Sequence, residues 1–182
     1  MATFNVPTRD EVSPANQAIF DNLKNQLGFV PNLYASYAHS ETALGDYLGF
    51  ASRKTTLTNK EKEVVNLVVS EVNACAYCLA AHTAVGKMNG FSDEEILEIR
   101  SGEVSFDTKI DALAKFVKNA VINRSKPDAD VVDSFLSAGY SKANLVDTIV
   151  LIGEKTVSNF LHGATQVPVD FPAAPELEEA SA

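Results

Sequence analysis

The sequence predicts an all-α protein of about eight helices, because apolar residues recur at helical spacing along most of the chain and strand-like alternation is scarce. Helix start and stop signals flank these periodic segments. The chain has 182 residues, of which 46% are hydrophobic and 21% are charged, so it can bury a core as one domain. We expect a single helical domain over residues 1–172, with an N-terminal extension of about 1–55, a core of about 56–165 and a flexible tail at 173–182.

Two predicted helical segments make up the N-terminal extension. Ser13 and Pro14 open the first helix as N-cap and first-turn proline, and Gly28 ends it. Pro31 starts a second segment that runs to about Ser52, and the sequence permits a break in this segment near Ser40.

The predicted core begins at Thr58, which forms a capping box with Glu61. The third helix that follows carries a broad Val/Leu stripe, which predicts burial on more than one side. A fourth helix runs from about Cys75 to Met88, and further helices start at Ser92, Asp107, Asp128 and Ser141. The apolar stripe of the last helix consists of Leu145, Ile149, Ile152, Thr156 and Phe160.

Charge and hydropathy exclude several classes of partner. The net charge of −9 predicts a surface that repels phosphate backbones and anionic lipids, so we expect neither nucleic acid nor membrane as a partner. The longest apolar run, residues 145–152, contains Asp147 and is too short to span a bilayer. No basic region followed by an apolar run marks the N-terminus, so we expect a cytoplasmic, reducing location.

The two cysteines of the chain, Cys75 and Cys78, lie three residues apart, and His82 follows four residues later. Steps of three and four place side chains on one face of a helix. The first turn of a helix and a nearby histidine both favour a thiolate, and lowering a cysteine pKa from 8.5 to about 6.5 requires roughly 2.7 kcal/mol. We therefore predict one redox-active dithiol site that includes all three residues.

A carboxylate on the preceding helix is the expected partner of this histidine. Glu63 lies twelve residues before Cys75, and an antiparallel pair of helices would let it orient His82. Spacing alone leaves Glu61 and Glu71 as alternatives.

The pattern of Glu63, eleven residues, Cys75-Ala76-Tyr77-Cys78, three residues and His82 resembles the alkylhydroperoxidase AhpD family, within the carboxymuconolactone decarboxylase-like superfamily. The flanking sequences at residues 28–32 and 78–83 are also similar to it. The resemblance covers most of residues 15–170.

The resemblance implies an AhpD-like helical bundle that assembles as a trimer or hexamer and acts as an antioxidant, thiol-dependent alkyl hydroperoxide reductase with peroxiredoxin activity. It implies Cys78 as the cysteine that attacks the peroxide, Cys75 as the resolving cysteine, and Glu63 and His82 as a proton relay. A sulfenic acid on the first cysteine is trapped by the second as a disulfide. It implies no metal or organic cofactor, so the partners are a small hydroperoxide and an external reducing dithiol or redox protein.

Tyr77 departs from the family pattern, since the best-studied members carry a second histidine between the cysteines. A phenol with a reference pKa near 10 is no base at neutral pH, but it can form hydrogen bonds. Tyr77, Glu71 and His162, near the end of the last helix, are secondary candidates for the site.

Two other functions stay open from the sequence. The dithiol can belong to a protein disulfide reductase or a redox-sensing adaptor whose substrate is another protein. A metal-binding structural module built from Cys75, Cys78, His82 and Glu63 is less favoured, because structural zinc usually draws on two Cys or His pairs.

Overall fold

The computed structural model describes residues 4–124 and 126–177, and its regular structure in these ranges is entirely helical, which confirms the predicted all-α class. A short 3-10 helix, Arg9–Glu11, precedes nine α-helices. Their bounds are α1 Pro14–Leu27, α2 Asn32–Tyr37, α3 Ala43–Ala51, α4 Asn59–Val72, α5 Ala76–Met88, α6 Asp93–Ser101, α7 Thr108–Ile122, α8 Ala129–Ser137 and α9 Lys142–Thr165.

Most predicted helix starts coincide with a capping side chain. In each case a hydroxyl or carboxylate oxygen accepts a hydrogen bond from a backbone N–H in the first turn, which stabilises a helix by about 1 kcal/mol. These cap residues are Ser13, Thr58, Ser92, Asp107 and Ser141. The local start signals therefore set the helix boundaries.

The second predicted segment is two helices, α2 and α3, and this accounts for nine helices among the described residues where about eight were predicted. The break falls at the position near Ser40 that the sequence permitted. The buried amide of Asn16 donates hydrogen bonds to the carbonyl oxygens of Ala38 (3.3 Å) and Ser40 (3.0 Å). Because a side chain satisfies these carbonyls, the backbone can leave the helix there.

α4 is the central helix of the domain core. It packs against α5, α6, α7 and α9, which confirms the prediction that it is buried on more than one side. Its fully buried side chains are Val64, Val65, Leu67, Val68 and Val69. This packing fixes the helix that carries Glu63.

A second hydrophobic cluster joins the N-terminal helices to the start of α5. Phe20, Leu33, Tyr37 and Leu44 belong to it, and so do Cys75, Tyr77 and Cys78. The dithiol therefore lies where the N-terminal extension packs onto the core.

Only part of the apolar stripe predicted along the last helix packs against the core. Leu145 and Ile152 are partly buried against it, whereas Phe160 is 66% exposed and Ile149 is 39% exposed. The buried positions of α9 include Leu151, Glu154, Lys155, Ser158, Asn159 and His162. This face is polar because it packs beside α4 and the start of α5, which carry the polar groups of the candidate site.

The chain after α9 runs without regular structure from residue 166 to residue 177. Arg100 donates a 2.5 Å hydrogen bond from Nη1 to the carbonyl oxygen of Pro175, so this part of the predicted tail lies against α6. Residues 178–182 of the predicted flexible tail lie outside the described residues.

None of the helices that the structure describes combines the length and the apolar character needed to cross a bilayer.

Candidate active site

A tight turn between α4 and α5 positions the two cysteines. The N–H of Cys75 donates to the carbonyl oxygen of Ser70 (2.9 Å), and the N–H of Ala74 donates to that of Glu71 (2.9 Å). Ala74 adopts φ 51°, a left-handed conformation that is uncommon for a residue with a Cβ. This geometry leaves Cys75 as the N-cap of α5, one residue outside the helix.

The two cysteines form a close, buried dithiol. Both are unbridged and 3% exposed, and their Sγ atoms lie 2.7 Å apart. The backbone N–H of Cys78 donates to Cys75 Sγ at 3.4 Å, in place of the oxygen that usually caps a helix. The free N–H groups and the dipole of α5 are therefore directed at Cys75.

The electrostatic environment shifts the pKa values of the two thiols in opposite directions. The hydrogen bond with Cys78 lowers the pKa of Cys75 to about 7 against the effect of burial, and the N–H of Cys78 acts in the same direction. The hydrogen bond to an ionised Cys75, followed by burial, raises the pKa of Cys78. At neutral pH the pair can hold one proton on Cys78 and one negative charge on Cys75.

Glu63 and His82 form a second pair beside the dithiol, across the α4–α5 hairpin. His82 Nδ1 lies 2.7 Å from Glu63 Oε2, and the amide of Asn66 donates to Glu63 Oε1 at 3.0 Å. Burial acts to raise the pKa of Glu63, but His82, Lys155 and Asn66 together outweigh it, so the pKa is lowered. Burial and the charge of Lys155 lower the pKa of His82, against the effect of Glu63.

These shifts define the tautomer of His82 at neutral pH. An ionised Glu63 only accepts hydrogen bonds, so Nδ1 of the neutral ring carries the proton. Nε2 then keeps its lone pair and is the nitrogen that can accept a proton. Within the described residues no hydrogen bond joins His82 to either thiol, so any proton transfer between them needs an intermediary.

Two residues of α9, Lys155 and Asn159, belong to the site and were missed by the sequence reasoning. The positive charge of Lys155 acts on Cys75, Cys78, Glu63 and His82. Asn159 accepts a hydrogen bond from Asn73 (2.9 Å) and donates to Ser70 (3.3 Å), and its amide favours the ionised form of both thiols. Polar residues at steps of three and four in an otherwise apolar helix were the available signal.

The competing carboxylates are engaged elsewhere. Glu71 Oε2 lies 2.7 Å from Nε of Arg100, and Glu61 completes the capping box of Thr58 and pairs with Lys109 (3.2 Å). Of the three glutamates that spacing allowed, Glu63 is the one that contacts His82.

His162 lies one turn before the end of α9 and is buried. Its Nε2 lies 3.2 Å from the carbonyl oxygen of Val167, and its ring packs on Tyr77 with centroids 5.4 Å apart. Burial lowers the pKa of His162. His162 therefore packs between Tyr77 and the start of the segment that follows α9.

Tyr77 connects α5 to the start of α2 and to the segment that follows α9. Its Oη donates to Asp170 Oδ1 (2.6 Å) and accepts the N–H of Leu33 (3.2 Å), while Asp170 Oδ2 accepts the N–H of Asn32 (2.8 Å). Burial and the hydrogen bond to Asp170 raise the pKa of Tyr77, so the phenol stays protonated at neutral pH. The position that departs from the family pattern is thus occupied by a structural hydrogen-bonding group.

We expect Tyr77→Phe to lower the free energy of unfolding by about 3 kcal/mol, because it removes a donor to a carboxylate and leaves the buried N–H of Leu33 unpaired. Urea unfolding followed by circular dichroism measures the loss. Tyr34→Phe is the matched control, since the hydroxyl of the half-buried Tyr34 forms no hydrogen bond in the described residues. Equal losses in the two variants would contradict this role of Tyr77.

Two different environments flank the site. Next to Glu63, a polar cavity of about 160 Å³ is also lined by Arg53, Asn66 and Glu154. In the hydrophobic cluster that contains Cys78, the rings of Tyr37 and Tyr47 stack with centroids 4.6 Å apart, and Tyr47 Oη lies 2.5 Å from Ser158 Oγ. The carboxylate therefore lines a polar cavity, and Cys78 belongs to a cluster that contains stacked aromatic rings.

In the described residues, no three His, Cys, Asp or Glu side chains are grouped in a way that could hold a metal ion. His82 is directed at Glu63, while the thiols are directed at each other. The four residues of the metal-site hypothesis thus form two pairs.

Known structures share this fold over nearly the whole chain. An uncharacterized peroxidase-related protein from Silicibacter sp. TM1040 is 20% identical, with a TM-score of 0.80 and coverage of 96% of this chain and 93% of that chain. A protein from Ralstonia eutropha JMP134, described as an alkylhydroperoxidase AhpD core and an uncharacterized peroxidase-related protein, is 16% identical, with a TM-score of 0.79 and 88% coverage of each chain.

A third similar structure is a cysteine-to-alanine variant of the debrominase Bmp8 in complex with 2,3,4-tribromopyrrole. It is 14% identical, with a TM-score of 0.76 and 93% coverage of each chain. No curated protein matches the chain.

The family comparison covers the part of the chain that holds the site. Residues 39–116 match the model of the Carboxymuconolactone decarboxylase family, and this range contains Glu63, both cysteines and His82. Over this range the chain is similar to that family, in agreement with the resemblance seen in the sequence, and the fold shared with AhpD-like structures extends over nearly the whole chain.

Proposed function

We propose that this protein is an enzyme, a thiol-dependent reductase of alkyl hydroperoxides. The observation that carries the proposal is the buried dithiol at the N-terminus of α5, with Sγ atoms 2.7 Å apart, beside the 2.7 Å pair of Glu63 and His82 on the same hairpin. An acidic thiol, a second thiol and a histidine base are the groups that two-step peroxide reduction requires.

In the first step, Cys78 attacks the terminal oxygen of the hydroperoxide. An S–O bond forms and the O–O bond breaks, so that Cys78 becomes a sulfenic acid and the alkoxide leaves. The proton of the Cys78 thiol reaches His82 Nε2 through the bound hydroperoxide or a water, and then moves to the alkoxide, which leaves as an alcohol. Glu63 holds the imidazole in the required tautomer and stabilises the transient cation.

In the second step, the Cys75 thiolate attacks the sulfenic sulfur. An S–S bond forms, the S–O bond breaks, and the departing hydroxide takes a proton to give water. Cys75 suits this role because its pKa of about 7 leaves about half of it ionised at neutral pH and its Sγ already contacts that of Cys78. An external dithiol then reduces the disulfide by supplying two electrons and two protons.

The choice of Cys78 as the attacking residue follows the family resemblance, and one feature of the site supports it. Cys78 shares a hydrophobic cluster with Tyr37 and Tyr47, and Tyr34 packs against that cluster. This aromatic environment suits the organic part of an alkyl hydroperoxide.

A stopped-flow experiment tests this function. The reduced protein is mixed with cumene hydroperoxide or, separately, with an oxidised thioredoxin-type protein, and formation of the Cys75–Cys78 disulfide is followed. We expect the hydroperoxide to oxidise the dithiol faster at equal concentration. Slower oxidation by the hydroperoxide than by the protein disulfide would reject the proposal.

Exchange with a protein disulfide is the second candidate, in which the protein is a disulfide reductase or a redox-sensing adaptor. The acidity of Cys75 favours it, because the best attacking thiol has a pKa near the ambient pH, and that of Cys75 is about 7. In that case Cys75 attacks the foreign disulfide, and Cys78 resolves the mixed disulfide.

We also propose a cytoplasmic homo-oligomer, a trimer or a hexamer. The outer face of α9 exposes Phe160 (66%), Val146 (59%) and Val157 (49%), and the end of α7 exposes Ile122 (56%). Contiguous apolar residues on a surface are typical of interfaces between subunits.

A further inference from the structure

Lys155 is a buried lysine that forms no ion pair within the described part of the chain. It is 6% exposed, and none of the ion pairs among the described residues includes it. Its neighbour Glu154 pairs instead with Arg53 at 2.7 Å. A buried ammonium is costly unless an opposite charge compensates it, so its surroundings should supply a negative charge.

The contacts of neighbouring α9 residues locate Lys155 beside the dithiol. Asn159, one turn further along, is hydrogen-bonded to Ser70 and Asn73, which flank the turn that leads into Cys75. Ser158 contacts the hydroxyl of Tyr47, a member of the hydrophobic cluster that contains Cys78. Lys155 thus projects from the face of α9 that packs between this turn and α3.

We propose that Lys155 is the fixed counter-charge of the dithiol and compensates the negative charge that the Cys75–Cys78 pair carries in the reduced protein. Because it acts through charge on the sulfur atoms, it is a positioning residue for the thiolate. This inference rests on the redox-active dithiol of the proposed function, but it does not depend on which oxidant the dithiol meets.

The charges around Lys155 support this assignment. Glu63 on α4 is ionised and hydrogen-bonded to a neutral His82 on α5, and Glu154 is neutralised by Arg53. The half-buried phenol of Tyr34 on α2 is uncharged at neutral pH, since burial raises its pKa. When His82 holds the proton of Cys75 and Cys78 stays protonated, the site carries two negative charges, on Glu63 and Cys75, and two positive charges, on His82 and Lys155. Without Lys155 the same transfer leaves one negative charge uncompensated.

The test uses Lys155→Met, which keeps the length and volume of the side chain without its charge, and Lys155→Arg, which keeps the charge. The rate of iodoacetamide alkylation against pH gives the thiol midpoint, and equilibration with glutathione gives the redox potential. We expect Lys155→Met to raise the pH midpoint of alkylation by about one pH unit. At any pH below the midpoint, the thiolate fraction is then about tenfold smaller than in the wild-type protein. The potential should also become more negative, because the reduced state loses its stabilising charge.

Lys118→Met is the matched control. Lys118 is a half-buried helical lysine whose Nζ donates to the carbonyl oxygen of Ser101, away from the dithiol. We expect Lys118→Met and Lys155→Arg to keep the wild-type midpoint. An unchanged midpoint in Lys155→Met, or an equal shift in Lys118→Met, would overturn the inference. Thermal unfolding checks the fold of each variant, and Lys155→Gln replaces Lys155→Met if the latter does not fold.

The outcomes separate this inference from the proposed function. A wild-type protein that is inert to hydroperoxides, but whose thiol midpoint shifts in Lys155→Met, would reject peroxide reduction and support the counter-charge. Rapid peroxide turnover by the wild-type protein, together with an unshifted thiol midpoint in Lys155→Met, would support peroxide reduction and reject the counter-charge.

Discussion

Cys78→Ser is expected to abolish turnover of alkyl hydroperoxides, with a residual rate of less than about one thousandth of the wild-type rate. A serine hydroxyl stays protonated at neutral pH and cannot form a disulfide, so both the attack and the resolution are lost. The substitution replaces a buried sulfur atom with oxygen and leaves the backbone contacts of α5 intact. Consumption of cumene hydroperoxide in the presence of excess dithiothreitol measures the rate.

Cys75→Ser is the matched variant, because it leaves the attacking thiol in place. We expect one equivalent of hydroperoxide to be consumed and a sulfenic acid to persist on Cys78, where dimedone can trap it. The ionised Cys75 is the main cause of the raised pKa of Cys78, so its removal should make Cys78 more acidic. If dimedone traps a sulfenic acid on Cys75 in Cys78→Ser, and none forms in Cys75→Ser, then Cys75 is the attacking cysteine and Cys78 the resolving one.

The second large effect is expected for Glu63→Gln, which should slow oxidation by hydroperoxide about 10²-fold to 10³-fold at neutral pH. The amide keeps the shape of the side chain but loses the charge that selects the Nδ1–H tautomer of His82. Glu63 acts to raise the pKa of His82 against the effects of burial and Lys155, so its loss makes the histidine a weaker base. The limb of the pH–rate profile that reports His82 should therefore move to lower pH.

Glu71→Gln is the control on the same helix, because Glu71 pairs with Arg100 and not with His82. We expect it to keep the wild-type pH–rate profile. Similar rate losses in the two variants would show that Glu63 has no specific role in the relay.

Stability provides an independent signature of Glu63. Its pKa in the folded protein lies below the unfolded value, so its ionisation contributes stability above that value and the contribution is lost as the pH falls through the folded pKa. The wild-type protein should therefore lose stability below about pH 4.3 through this group. Glu63→Gln should lack that component of the loss.

The helices and the grouping of the two cysteines could be predicted from the sequence, because both depend on local interactions. A cap such as Thr58 satisfies an N–H three residues away, and the Cys-x-x-Cys spacing brings two sulfurs together within one turn. The break near Ser40 was only permitted by the sequence, since its cause is a hydrogen bond from Asn16, more than twenty residues away.

The sequence by itself thus determined the all-α class, the capped helix starts and the candidate dithiol. Only the tertiary structure decided that Glu63, and not Glu61 or Glu71, contacts His82, and that Tyr77 joins the start of α2 to the segment after α9. It also showed that α9 turns Lys155 and Asn159 inward and Phe160 outward. Helical periodicity defines the faces of a helix, but which face is buried depends on the polarity of the helices packed against it, and distant segments of the chain supply those.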